Sequence, residues 1–147
     1  MLGSFIGKKS EKVKNIIERG AVKKFAEAIG DPSPIYIDEQ VGKSSPYKQN
    51  LAPPTFPATF DRGSIPGLPS KGLLHGEQIY QYTRPLLVGE EVFCWNEVKN
   101  YYEKEGKSGK MGFLVLTLHG EDVTGKLLFT EERIAIINDA VRKEMNA

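Results

Sequence analysis

Apolar positions along this chain follow two periods, and the switch between them marks its first elements. Lys12–Ile17 carries β-branched residues in partial alternation, which predicts a first strand. From Glu18 the spacing becomes helical. Val22, Phe25, Ala26 and Ile29 fall on one face, with Lys23, Lys24 and Glu27 on the other. Gly30 stands where a helix-ending glycine belongs and Pro32 lies just beyond it, so a helix from about Gly20 to Ile29 is predicted.

Prolines then interrupt the pattern. Asp31–Tyr36 holds two prolines in four residues, which predicts a rigid extended turn rather than helix or central strand. Asp38–Gly42 fits a short turn of helix, and Ser44–Asn50 reads as loop. In Leu51–Phe60, Pro53, Pro54 and Pro57 are interleaved with apolar and small residues. Prolines are tolerated at a helix entrance, where N–H groups lack intrahelical partners. Thr55 is therefore expected to cap a buried helix ending near Gly63. Ser64–Gly72 reads as loop.

The remainder alternates as strands do. Ile79–Thr83 is stopped by Pro85, and Val92–Tyr102, Met111–Gly120 and Leu127–Asn138 are separated by glycine-bearing turns. Three long antiparallel strands in a meander, preceded by strand, helix, loop and buried helix, give an α+β class. With 147 residues, 1–147 is expected to form one domain.

Charge narrows the function classes. Twenty basic and 19 acidic side chains leave a net charge of +1, no long-range field for a phosphate backbone, and nucleic acid is not expected. Lys8, Lys9, Lys12, Lys14, Lys23 and Lys24 cluster locally; they form either a solvated face or a docking surface for an acidic carrier protein. Cys94 is the one cysteine, which excludes an internal disulfide and reads as a buried strand residue. No apolar run approaches the roughly 18–20 residues of a membrane span. Met1–Lys9 has the reverse of a signal peptide's order, so a cytoplasmic location is expected.

Three stretches carry a resemblance. Phe25–Tyr36 resembles the hydratase motif of MaoC-like proteins, which runs glycine, aspartate, any residue, asparagine, proline, aliphatic, histidine. Ala52–Pro57, and Leu74–Gln78 through Tyr82–Pro85, look like the N-terminal, FAS1-like dehydratase branch of that family. The resemblance spans about Lys12 to Asn138. It implies a hotdog fold, an antiparallel sheet wrapped around a central helix, here Thr55–Arg62. It also implies a homodimer, or a heterodimer with a MaoC-type subunit, and an acyl chain near the subunit junction. The implied chemistry adds or removes water across C2–C3 of (3R)-3-hydroxyacyl or trans-2-enoyl thioesters, carried on CoA or on the phosphopantetheine of acyl carrier protein. No further cofactor and no metal are implied.

Family chemistry pairs the motif aspartate with the histidine five residues on, groups that exchange protons near neutral pH. This chain keeps Asp31 but carries Tyr36 at the histidine position and Ser33 at the asparagine position. A phenol titrates near 10, against about 6.5 for imidazole, and burial raises it further. Tyr36 is thus expected to donate a hydrogen bond rather than accept a proton. Asp31 also suits simple turn formation after Gly30. His75, two residues from Glu77, is a further acid–base candidate if the two share a strand face, although Gly76 suggests a bulge and a structural histidine. His119 reads as surface or sheet packing. Substrate contacts are expected at Ser33, Pro54, Thr55, Phe56, Ala58 and Arg84. The Phe56 and Ala58 N–H groups are candidates to face the thioester carbonyl, and Arg84 is either a phosphate contact or a solvated or ion-paired side chain. Tyr80, Tyr82, Trp95, Tyr101 and Tyr102 read mostly as sheet packing, with part free to line an acyl channel.

Three functions fit these residues. One is the substrate-holding subunit of a two-subunit (3R)-hydroxyacyl dehydratase. Another is a self-sufficient enoyl thioester hydratase using Asp31. The last is a non-catalytic acyl-CoA-binding or regulatory homodimer. A thioesterase is a weaker fit, since fold alone does not set activity.

Overall fold

The computed structural model describes residues 2–107 and 109–145. Its centre is a meander of three strands, β3 (Glu91–Gly106), β4 (Gly109–Glu121) and β5 (Leu127–Ile137). Two strands from earlier in the chain flank it, β1 (Val13–Ile16) beside β3 and β2 (Leu74–Tyr82) beside β5. The order is β1-β3-β4-β5-β2, antiparallel throughout. The glycine turns set the hairpins: Gly106 and Gly109 pair across the first, and Gly125 closes the second at φ +86°.

Alternation gives the sheet two unlike faces. The inner face carries Val92, Cys94, Val98, Leu114, Leu118, Phe129, Ala135 and Ile137, all nearly or fully buried. Gly120, opposite Phe129, must be glycine: a Cβ there would stand 2.1 Å from the Phe129 ring. The outer face carries Trp95 stacked on His119 at 4.9 Å, which places His119 in the sheet packing expected of it.

Over one end of the inner face lies α1 (Arg19–Ala28), which buries Val22 and Ala26 and turns Phe25 edge-on to Phe56 at 5.5 Å. The four apolar residues that predicted this helix are those that turn inward, except Ile29, which caps the helix and stays half exposed. Leu2, Ile65 and Val141 cover the other end of the same face, Val141 coming from α4 (Asp139–Met145).

Two proline-rich segments differ from expectation. Pro34–Ile37 forms a short helix, α2, with Pro34 at its first position, where the missing N–H costs nothing. The expected helix over Thr55–Arg62 is one 3-10 turn, Phe56–Thr59, and Thr55 makes no side-chain cap. Pro53, Pro54 and Pro57 supply no N–H donors, and Phe60 returns to extended backbone. The sheet is therefore filled by that turn and α1 together, with Phe56, Phe60 and Val22 in one cluster with Val92, Leu118 and Phe129.

Candidate active site

Asp31 follows directly from the way α1 stops. Gly30 adopts φ +75°, its N–H donates to Glu27 O (3.1 Å), and the Asp31 N–H donates to Ala26 O (2.9 Å). These bonds satisfy carbonyls at the helix end. Turn closure is thus done by the backbone, and the Asp31 carboxylate projects from an exposed residue. Ser33 is half-buried, and its carbonyl accepts from the Tyr36 N–H at 2.9 Å.

Tyr36, on α2, packs its ring against the cluster that holds Ala52, Phe56 and Leu86. Burial pushes its phenol above the ordinary value of 10, and the negative charge of nearby Asp31 pushes it further. Both effects keep the phenol protonated at neutral pH.

One buried amide fixes this corner. Asn50, fully buried, donates to Ile35 O (2.9 Å) and Asp38 O (2.8 Å) and accepts from Arg19 (2.8 Å). It ties α1, α2 and α3 (Glu39–Ser44) to one point. The residue lies in a segment that reads only as loop, and no local pattern announces it.

Next to this corner is a cavity of about 320 Å³ lined by Ala52, Pro54, Tyr82, Thr83, Arg84, Pro85 and Leu86. Ala52 and Leu86 are shared with the cluster that carries Tyr36. Tyr82 donates its hydroxyl hydrogen to the Pro54 carbonyl and stacks on Phe129 at 5.6 Å. Arg84 is held by the Glu90 carboxylate through two hydrogen bonds of 2.8 and 2.9 Å, and it donates a third to Pro85 O. Of the two readings of Arg84, the ion pair is the one observed.

Other expectations change. The Phe56 and Ala58 N–H groups already donate to Pro53 O (2.9 Å) and Thr55 O (3.0 Å), so neither is open to a thioester carbonyl. Thr55 and Ala58 are exposed, whereas Phe56 is core. His75 lies at the opposite end of β2 from Tyr82, about 20 Å away at roughly 3.3 Å per residue. A bulge at Gly76 sets His75 opposite Ala135 and Glu77 opposite Ile134, so the two point to opposite faces and form no acid–base pair. His75 shares the inner face with Gln78 instead, Nε2 to Oε1 at 3.1 Å. Three lysines of the basic cluster, Lys9, Lys12 and Lys14, reach Glu97, Glu121 and Glu91 and stay more than half exposed. Cys94 is buried, and desolvation pushes its thiol up to about 12.

Beneath the site runs a polar chain that sequence reading missed. Glu131 on β5 has no exposed surface and is bound by Arg62 (2.8 and 3.0 Å) and Arg133 (3.2 Å). Arg62 also donates to Pro57 O at 3.3 Å, which anchors the Phe56–Thr59 turn to the sheet. Its only sequence signal is a carboxylate at an inward position between Phe129 and Ala135.

Known proteins place this arrangement. The sequence profile of the FAS1-like, dehydratase domain region matches residues 4–131. A UPF0336 protein of Thermobifida fusca is 32% identical over 74% of this chain and 72% of its own length. One from Streptomyces avermitilis is 36% identical over 57% of this chain, and the match spans 61% of that relative. Among solved structures, the HadBC (3R)-hydroxyacyl-ACP dehydratase complex of Mycobacterium tuberculosis superposes with a TM-score of 0.75 at 16% identity, over 90% of this chain and 97% of that one. The (R)-hydratase of A. caviae gives 0.67 at 22% identity, over 88% and 94%. At these identities the structural likeness is one of fold, the hotdog fold. The chain belongs to the FAS1-like, dehydratase domain region family.

Proposed function

We propose that this chain is the holding subunit of a hydratase or dehydratase acting on (3R)-3-hydroxyacyl and trans-2-enoyl thioesters, with CoA or phosphopantetheine as carrier. One observation carries the reading: Asp31 is present, but the position five residues on holds a phenol kept protonated by burial and by the charge of that same carboxylate. Tyr36 can donate to the thioester carbonyl, and Asp31 can accept from the 3-hydroxyl. Water addition also needs a group that takes a proton near pH 7, and a phenol displaced upward from 10 is not one. The apolar cavity beside Ala52, Pro54 and Leu86 is of the size that takes a short acyl chain. Turnover then calls for an imidazole from a second hotdog chain of the MaoC type. The solved HadBC complex, whose fold this chain shares, is itself an assembly of unlike subunits.

Calorimetric titration with crotonyl-CoA tests the holding role. Saturable binding is expected, weakened about tenfold or more by Pro54→Trp, which fills the cavity from an exposed position. Absence of binding by the wild-type chain, to crotonyl-CoA and to crotonyl-carrier protein alike, would refute it.

A further inference from the structure

Tyr82 forms one wall of the cavity beside Ala52 and Leu86, and its surroundings set how far that cavity reaches. It is the last residue of β2, in register with Phe129 of β5, so the wall belongs to the sheet rather than to a loop. The ring stacks on Phe129 at 5.6 Å, and Phe129, with no exposed surface, does not line the cavity. Behind Tyr82 an aromatic row therefore continues, Phe129 to Phe60 at 6.1 Å and Phe60 to Phe56 at 5.7 Å.

The Tyr82 hydroxyl donates to the Pro54 carbonyl, and both residues line the cavity, so this bond joins two of its walls. Burial, then the Tyr80 phenol and the Glu131 carboxylate, pushes the Tyr82 phenol well above its ordinary 10, and the hydroxyl remains a donor at neutral pH. Other walls are pinned as well. The Ala52 N–H donates to Leu86 O at 2.8 Å, and two bonds to Glu90 hold Arg84.

We propose that Tyr82 limits acyl length: tied to Pro54 O, its ring closes the cavity against the aromatic row, and the chain holds thioesters of straight acyl groups up to about eight carbons. The inference rests on the holding role above and names the substrate class within it. Volume sets the limit. An apolar cavity of about 150 Å³ takes a benzene ring, which is six carbons. The cavity here, about 320 Å³, takes about twice that content, and the thioester group shares it with the acyl chain. Within that length each buried methylene favours binding by about fourfold. Beyond it, a further methylene either stays in water or displaces the Tyr82 ring. Displacement breaks the bond to Pro54 O and the stacking on Phe129 and Tyr80, and their combined loss outweighs what one methylene returns.

Affinity as a function of acyl length reads the wall. Butyryl-, hexanoyl-, octanoyl-, decanoyl- and dodecanoyl-CoA are titrated calorimetrically below their micelle concentrations, with CoA alone as the baseline. Wild-type affinity is expected to rise to octanoyl-CoA and to stop rising there. Tyr82→Leu removes ring and hydroxyl together, and should raise the ratio of dodecanoyl- to butyryl-CoA affinity about tenfold or more, the return of two buried methylenes. Tyr82→Phe keeps the ring and loses the tie to Pro54; it should raise the same ratio about threefold, and it carries the test should the leucine variant fail to fold. Gln81→Ala, next along β2 but on the outer face, should leave the length profile unchanged. A wild-type profile that climbs through dodecanoyl-CoA overturns the proposal, as does one that neither Tyr82 variant shifts or that Gln81→Ala shifts equally. If acyl-CoA binds with no dependence on length, the wall falls and the holding role stands. If no acyl-CoA binds better than CoA itself, the holding role falls and the wall with it.

Discussion

Arg62 reaches from the loop after the Phe56–Thr59 turn and grips Glu131 on the inner face of β5 by two parallel hydrogen bonds of 2.8 and 3.0 Å. The carboxylate is wholly buried, and Arg133 adds a second positive partner. Removing one partner of such a pair strands the other without water. Arg62→Met is therefore expected to lower stability by about 3–5 kcal/mol, read from urea denaturation. It should also weaken crotonyl-CoA binding, because the turn that packs beside the cavity loses its tie at Pro57 O. A loss under 1 kcal/mol would show that Arg133 suffices alone.

The same pair makes the fold sensitive to acid. Burial opposes ionisation of Glu131, but the hydrogen bonds and charge of Arg62, with Arg133, outweigh it and hold the carboxyl below its ordinary 4.5. A depressed folded value means stability that is fully present above the unfolded value and is lost as pH falls through the folded one. Stability from urea melts should thus decline as pH drops below about 4.5. In Glu131→Gln that part of the decline should be missing. An unchanged pH dependence in the variant would assign acid sensitivity elsewhere.

Tyr36 shows the opposite sign. Its value is raised, so its contribution is present below pH 10, the ordinary phenol value, and fades as pH climbs through the folded one. Ultraviolet titration of wild type minus Tyr36→Phe should show a phenol still protonated at pH 10. A transition below that pH would contradict Tyr36 as a hydrogen-bond donor only.

Helix α1 and the three-strand meander were legible in the sequence because each is set by local periodicity. Val22, Phe25 and Ala26 repeat at the helical interval, and the strands alternate between glycine turns. The helix expected at Thr55 fails for a definable reason: proline at a helix entrance is permitted, but permission is not a tendency to continue, and three prolines leave too few donors. His75 and Glu77 miss each other because the rule of two fails at a bulge, which Gly76 hints at but cannot locate. The Arg62–Glu131 pair joins residues 69 positions apart, and Lys9, Lys12 and Lys14 meet glutamates from β3 and β4. Such pairings belong to the tertiary structure, and no window of sequence contains both partners.

Proton acceptance beside Asp31 decides whether this chain can hydrate an enoyl thioester alone. Hydration of crotonyl-CoA should be followed for the purified wild-type chain, for Tyr36→His, and for the wild-type chain with a MaoC-type hotdog subunit added. Rates near background for the wild type alone are predicted, with at least a hundredfold rise from the partner or the restored imidazole, the scale of one general base. Brisk turnover by the wild-type chain alone, abolished by Asp31→Ala, would contradict it.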